Sequence, residues 1–450
     1  RRLAEDRGAV SQILKIGQKV ATESSRVECT LLEFLGGGGQ GDVYRAELAG
    51  KQVALKWYLP RSATPRQRAS LELLVRKGPP TDRFLWPLEL ASSPALRDFG
   101  YVMPLREARF RGIADLMKRR IDPSFRTLAT AGFGLAHSFL HLHSQGLCYR
   151  DISFGNIFFD PGSGEIAICD NDNVTVDGDR ECGILGTPRF MAPEVVRGDA
   201  LPSTETDLFS LAVLLFYLFL VHHPLEGRRE LAIHSFDLPA MTNLYGTRPL
   251  FIFDPHDHSN APVPGHHDNA ILSWPIYPQF LRDLFTKAFT TGLYDSAHGR
   301  VREGEWRAAM IRLRDSILYC AHCGAENFYD GEALRASGGA PGNCWSCGAA
   351  IRLPYRLRLG RATVMLNHET RLYAHHIDEQ RPNDFSRPVA EVTTHPEHPE
   401  VWGLRNLSEE KWSFCNGADP RPAEVLPGRV LRLESGVRVN FGKVAGEVRG

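Results

Sequence analysis

The sequence predicts an α+β chain of several domains: a small β-rich lobe, a larger helical lobe, a four-cysteine segment and a small all-β domain. Three patterns carry this reading. From Val27 to Tyr58, short β-rich runs alternate around a glycine cluster. Between about 125 and 320, the stretches Phe125 to Ser144, Thr206 to Val221 and Tyr277 to Thr290 have helical length and apolar periodicity. Beyond Pro354, the runs Arg356 to Leu366, Pro399 to Leu407 and Arg429 to Phe441 alternate in the manner of strands, with turn residues between them.

Each element then has its place. Residues 64 to 77 follow the first strands with helical composition, and Tyr245 to Trp274, rich in Pro, His, Asp and Asn, reads as a long irregular excursion over the surface. The boundaries expected are an N-terminal extension over 1–26, a first domain over 27–315 whose lobes meet near 103 and 104, the four-cysteine segment over 316–354, and the β-domain over 355–450. No internal repeat is visible, which excludes a solenoid.

At 450 residues and 43% hydrophobic content, the chain can fill two or three cores. Its 53 basic and 53 acidic residues cancel, so no bulk field draws it to nucleic acid or to an anionic membrane. The longest apolar stretch, Leu208 to Val221, spans 14 residues and reads as a buried helix; a bilayer span needs about 18 or more. Residues 1 to 30 lack the continuous apolar run of a secretory signal. Of nine cysteines, four form two C-x-x-C pairs, while Cys29, Cys148, Cys169, Cys182 and Cys415 are scattered. That usage suits metal binding in a reducing cytoplasm better than a disulfide framework.

Leu35-Gly36-Gly37-Gly38-Gly39-Gln40-Gly41-Asp42-Val43 fits G-x-G-x-x-G-x-V between two strand runs, where glycines let backbone close over triphosphate oxygens; alone, a hairpin turn explains it equally well. The next strand carries Val53-Ala54-Leu55-Lys56, with the lysine 15 residues past Gly41 and able to pair with α and β phosphates. Downstream, Tyr149-Arg150-Asp151-Ile152-Ser153-Phe154-Gly155-Asn156 sets an Asp and an Asn five residues apart after an apolar helix. In phosphoryl transfer such an Asp orients the attacking hydroxyl and takes its proton, and such an Asn holds Mg²⁺. Asp170 ends the apolar run Ile166 to Cys169 and offers a second Mg²⁺ ligand, and Gly186-Thr187 through Ala192-Pro193-Glu194 closes the series.

With these five motifs in order, residues about 27 to 315 resemble a eukaryotic-type (Hanks-type) Ser/Thr protein kinase. The resemblance implies a bilobal kinase fold that uses ATP with Mg²⁺ or Mn²⁺ on protein substrates, itself included. By it, Gly36, Gly38, Gly41, Val43 and Ala54 cover the nucleotide, Met103 and Leu105 receive adenine, Lys56 grips phosphates, Asp151 is the base, and Asn156 and Asp170 hold Mg²⁺. Glu72, in the first helix after the lysine strand, is the expected carboxylate partner of Lys56, with an exposed helical Glu as the alternative. Glu194 is expected to pair with Arg300, and Asp207 to cap the catalytic-loop backbone. Arg150 is of the type that pairs with a phosphate on the segment between Asp170 and Glu194, where Thr175 is the candidate acceptor; the alternative is that Asp170-Asn171-Asp172, with Asp177 and Asp179, already supplies the negative charge that holds the segment.

Three positions depart from the pattern. Tyr149 stands for the usual His, Ser153 for the usual Lys, and Asp170-Asn171-Asp172 for Asp-Phe-Gly, so the metal ligand survives while the apolar plug and flexible glycine do not. The competing function is a pseudokinase, a nucleotide-binding scaffold that presents the β-domain to phosphorylated partners.

Cys320-Ala321-His322-Cys323 and Cys344-Trp345-Ser346-Cys347 lie 20 residues apart, the spacing of two zinc knuckles that close one tetrahedral structural Zn²⁺ site, a zinc ribbon. Residues 355 to 450 bear a fainter likeness to forkhead-associated phosphopeptide-binding sandwiches through Leu359-Gly360-Arg361, His375-His376, Gly403 to Ser408 and Asn416-Gly417; a sandwich used for packing or protein contacts is the alternative. The histidines His256, His258, His266 and His267 read as surface loop residues, and His137, His141 and His143 as packing or exposed. Asp-Asn-Asp, the Phe251 to Pro255 excursion and the trailing cysteines together resemble bacterial kinases of tellurite-resistance-like systems, which implies a metal-dependent phosphatase and a von Willebrand A protein as partners.

Overall fold

The computed structural model describes residues 12–179, 185–416 and 419–450, so Cys182 and Gly417 lie outside the described residues. Two compact units divide the chain. One holds residues up to Pro123 with 130–270 and 284–307; the other holds 124–129, 271–283 and 308–450.

The first unit begins with six strands: β1 (Lys19–Thr22), β2 (Glu28–Gly37), β3 (Gly41–Leu48), β4 (Lys51–Tyr58), β5 (Glu89–Ser92) and β6 (Phe99–Pro104). They close into a barrel in the order β1-β2-β3-β4-β6-β5. Alternation along β4 sends Leu55 and Trp57 into the barrel core with Leu14, Val20, Leu31 and Val102, and leaves Ala54 and Tyr58 on the other face with Leu71, Tyr101 and Met103. The register sets Lys56 opposite Val43 on one side and Tyr101 on the other.

The boundary expected at Val27 is corrected here. β1 lies before it, pairs with both β2 and β5, and so closes the barrel, with Leu14 fully buried. Four residues of strand are too short to leave a readable alternation of their own.

Helix α1 (Pro65–Lys77) lies between β4 and β5. Thr64 caps its N-terminus by accepting from the Gln67 N–H, Pro65 fills a first-turn position whose N–H has no helical partner, and Gly78 ends it at φ 75°. Further on, Thr204–Leu220 is buried throughout from Thr206 to Leu220 behind a Ser203–Thr206 capping box. Each of its large apolar side chains contributes about 1.5–3 kcal/mol by leaving water. No described helix is long and apolar enough to cross a membrane.

The excursion from Tyr245 to Trp274 is not wholly superficial. Leu250, Phe251 and Ile252 are buried, and the Phe251 ring packs edge-on against Phe216. Asn260, also buried, donates to the Leu225 and Leu250 carbonyls at 2.9 and 2.7 Å. His256, His258 and His266 are exposed, but His267 is buried and accepts from the Val263 N–H at 2.8 Å.

The second unit contains, besides the two-stranded ladder of Ile317–Tyr319 and Glu326–Phe328, two larger antiparallel sheets. Six strands, Ala362–Met365, Arg356–Leu359, Ala445–Arg449, Arg438–Asn440, Trp412–Asn416 and Asp419–Val425, form one in that order. Arg371–Tyr373, Pro388–Thr394, Trp402–Asn406 and Val430–Arg432 form the other. Leu357, Val364 and Val448 from the first meet Leu372, Val392 and Leu404 from the second in one core. The four-cysteine segment belongs to this unit, as do residues 124–129 and 271–283, which the sequence assigned to the first domain. Aromatic packing explains the regrouping: the Phe125 ring lies against Tyr277, Phe328 and Trp345.

Candidate active site and metal centre

A cavity of about 520 Å³ opens in the first unit. Residues 35–41 of the glycine turn form one wall with Val43, Ala54 and Lys56, while Leu85, Met103, Leu105, Phe158, Cys169 and Asp170 complete it. Gly41 is required by space: a Cβ there would lie 2.2 Å from the Trp57 carbonyl oxygen. The cavity has the size of a nucleotide site, apolar at Ala54, Met103 and Leu105 and charged at Lys56 and Asp170. Those residue types fit ATP with a divalent cation.

Beside it runs the loop with Asp151. Asp207, at the start of the buried helix Thr204–Leu220, accepts from the Tyr149 and Arg150 backbone N–H groups at 2.5 and 2.9 Å and fixes the loop's path. Arg150 is held at φ 73°. The Asn156 amide donates to the Asp151 carbonyl at 2.8 Å and to its carboxylate at 3.1 Å, and the Thr187 hydroxyl donates to the other carboxylate oxygen at 2.7 Å. Asp151 is thereby oriented from two sides, with Asn156 beside it. Arg300 meets Glu194 at 2.7 Å.

Lys56 differs from the expectation. Its ammonium lies 2.9 Å from Asp172 and 3.4 Å from Asp170, and also donates to the Gln40 side-chain carbonyl at 3.1 Å. Glu72 is instead ion-paired to Arg68 at 3.2 Å, one helical turn back and half-exposed, so the predicted Lys56–Glu72 pair is corrected. The exposed-Glu alternative describes Glu72 better. The sequence reading takes Asp172 as a replaced glycine and one of several segment charges, not as a partner of Lys56, and it leaves out Tyr58 and Tyr101, whose hydroxyls both donate to the Asp172 carboxylate. The signal available was strand alternation, which puts Ala54, Lys56 and Tyr58 on one face.

The charges follow from this geometry. Burial works against the Lys56 charge, yet the Asp172 and Asp170 carboxylates outweigh it and hold the ammonium above its ordinary range. Burial likewise opposes the Asp172 carboxylate, but Lys56 and the bonds from Tyr58 and Tyr101 keep it below the usual carboxylate range. Asp170 goes the other way: burial, with repulsion from Asp172 and Asp151, raises it against the pull of Lys56. A divalent cation at Asp170 and Asn156 would relieve that repulsion.

In the second unit the Sγ atoms of Cys320, Cys323, Cys344 and Cys347 all lie within 4.8 Å of one another. Two matching turns build the cluster: the Gly324 N–H donates to the Cys320 carbonyl and the Gly348 N–H to the Cys344 carbonyl, each at 2.9 Å with φ 74° at the glycine. The Cys323 and His322 backbone N–H groups draw the Cys320 thiol down. Burial opposes the Cys344 thiolate, but the Cys347 N–H and the Asn327 amide bring that thiol to about 6. Four sulfurs this close, some already favoured as thiolates, fit a tetrahedral cation such as Zn²⁺.

Residues 102–266 match the family model described as the protein kinase domain. This part of the chain is similar to protein kinase domains, and its mixed helices and strands suit an α+β kinase fold. Similar proteins include the DNA damage-responsive serine/threonine-protein kinase RqkA of Deinococcus radiodurans, 29% identical over 45% of this chain and 31% of its own. A probable cell cycle serine/threonine-protein kinase, a CDC5 homolog of Encephalitozoon cuniculi, is 28% identical over 49% of this chain and 47% of its own. The serine/threonine-protein kinase PLK1 of Xenopus tropicalis is 33% identical over 49% and 37%. The matched stretch thus spans less than half of each relative. The glycine turn and Lys56 lie before the stretch matched by the kinase model, and Asp151, Asn156 and Asp170 lie within it.

Proposed function

We propose that the chain is an ATP-dependent protein kinase that transfers the γ-phosphate to Ser or Thr hydroxyls of proteins, its own included. The observation that carries this is the approach of Lys56 to Asp170, 3.4 Å apart across 114 residues of sequence, at a glycine-walled cavity. In this reading Gly36, Gly38 and Gly41 cover the phosphates, Met103 and Leu105 receive adenine, Asn156 and Asp170 hold Mg²⁺ or Mn²⁺, and Asp151 takes the hydroxyl proton. Incubation with ATP and Mg²⁺ followed by intact-mass analysis tests it: added mass in multiples of a phosphoryl group is expected. Its absence, with nucleotide still bound, would favour the pseudokinase scaffold.

The same proposal gives the four cysteines a structural zinc ribbon and places the protein in the reducing cytoplasm. The paired sheets of residues 355–450 are read as forkhead-associated-like, with the exposed Arg361 as the group available to a phosphopeptide. Asn406 is not available: it is buried, donates to the Glu410 and Val425 carbonyls, and accepts from Ser408. A metal-dependent phosphatase and a von Willebrand A protein remain the partners that the sequence resemblance implies.

A further inference from the structure

We propose that Asp172 is the residue that positions Lys56 for the phosphates of ATP, a carboxylate supplied by the segment after Asp170 and not by helix α1; this rests on the kinase reading above. Lys56 is 4% exposed and the Asp172 side chain is fully shielded, with 2.9 Å between ammonium and carboxylate. A buried charge without a partner is strongly unfavourable, so these two groups hold each other in place.

The carboxylate is itself fixed. Tyr58, two residues along β4 from Lys56, donates to one oxygen, and Tyr101 of β6 donates to the other at 3.0 Å. From α1, the Gln67 amide donates to the Asp172 backbone carbonyl at 3.2 Å and to the Tyr58 hydroxyl at 3.0 Å. The helix therefore takes part through a neutral amide, and its nearest-numbered carboxylate, Glu72, is engaged by Arg68.

The segment that carries Asp172 is equally determined. Residues 171–173 form one 3-10 turn entered through Asp170 at φ 49°. Asn171, buried where the family pattern has an apolar plug, donates to the Leu85 and Ile168 carbonyls, both at 2.9 Å. Asp170 and Asp172 thus reach Lys56 from one short turn: Asp172 from the closed side, and Asp170, whose side chain is 40% exposed, from the cavity side. A lysine held this way keeps its ammonium extended along the cavity wall before nucleotide arrives, and charge placed in advance needs no reorganisation when the phosphates arrive.

The test compares wild type with Asp172→Asn, Glu72→Gln and Tyr101→Phe, reading steady-state phosphotransfer and equilibrium binding of Mg·ADP. A charge-assisted hydrogen bond contributes roughly 1.5–3 kcal/mol, so Asp172→Asn is expected to raise KM for ATP and Kd for Mg·ADP by about tenfold or more. KM for the protein substrate should stay within about twofold, a split that general loss of structure would not produce. Tyr101→Phe, which keeps the ring and loses only the hydroxyl, should move both nucleotide quantities the same way by less, and it carries the test if Asp172→Asn does not fold. Wild-type nucleotide KM and Kd in Asp172→Asn, or a loss in Glu72→Gln as large as in Asp172→Asn, would overturn the proposal. A wild-type protein that binds Mg·ADP but transfers no phosphate would sink the kinase reading instead, and the binding measurements would still judge Asp172.

Discussion

The imidazole Nε2 of His143 lies 3.2 Å from the carboxylate of Asp207, which in turn caps the backbone of the loop carrying Asp151. The other ring nitrogen meets Glu303, so one partly buried histidine joins two carboxylates. Burial alone would lower its pKa, but hydrogen bonds and charge from Asp207 and Glu303 raise it from 6.5 to about 9. A histidine raised in the folded state contributes stability that is fully present below about 6.5 and is lost as pH rises through about 9. Wild-type melting temperature is expected to fall between those pH values, and His143→Gln should flatten that dependence and remove a contribution on the order of 3 kcal/mol at pH 6. Thermal melts of both proteins from pH 6 to 10 check this; parallel curves would refute it.

Under the proposed kinase reading, Lys56→Met and Asp151→Asn should each reduce phosphate transfer by roughly a hundredfold or more, since phosphoryl transfer relies on positioning and charge neutralisation. Both proteins should melt cooperatively. Autophosphorylation at the wild-type rate in either one would remove that residue from the mechanism.

The purified chain should carry one Zn²⁺, and Cys323→Ser should release it. Exhaustive chelation should have the same effect, with hydrogen exchange rising over residues 316–354, because clustered thiolates without a cation repel one another. Elemental analysis and exchange mass spectrometry read this. Unaltered exchange after full zinc loss would show that aromatic packing around Phe328 and Trp345 suffices.

Arg150 donates to the Thr175 hydroxyl and lies 3.5 Å from Asp179, which also pairs with Arg66 of α1 at 2.7 Å. Asp179 already stands where a phosphate on Thr175 would draw the arginine, and Asp177 caps Thr204 at 3.0 Å. Thr175→Ala is therefore expected to keep wild-type activity within about threefold, while Asp179→Asn should lower it more, as a charge-assisted contact is lost. Kinetics on an added protein substrate, with phosphosite mapping, decide between them. Phosphate at Thr175 together with a large loss in Thr175→Ala would establish phosphorylation as the control instead.

Much of this protein was legible in the one-dimensional pattern. Gly36, Gly38, Gly41, Lys56, Asp151, Asn156 and Asp170 are readable as one set because they stand on loops and strand ends at intervals that local chain geometry holds, and the fold sets them at one cavity and in the loop beside it. The four cysteines are readable for the same reason, since each C-x-x-C closes its own turn around glycine. Tertiary structure decided the partners of buried charges. The sequence argument set Glu72 beside Lys56 and did not consider Asp172 for that place, because only the crossing of β4, β6 and the 171–173 turn determines which carboxylate reaches the ammonium. His143 looked like a packing residue until helices 160 residues apart brought Glu303 to it. β1 closes the barrel through pairing with β2 and β5, and four residues carry no period of their own that would announce it. Motifs survive in sequence because their residues act within one turn or loop, whereas a desolvated ion pair is chosen by the whole packing around it, to which a linear pattern gives no access.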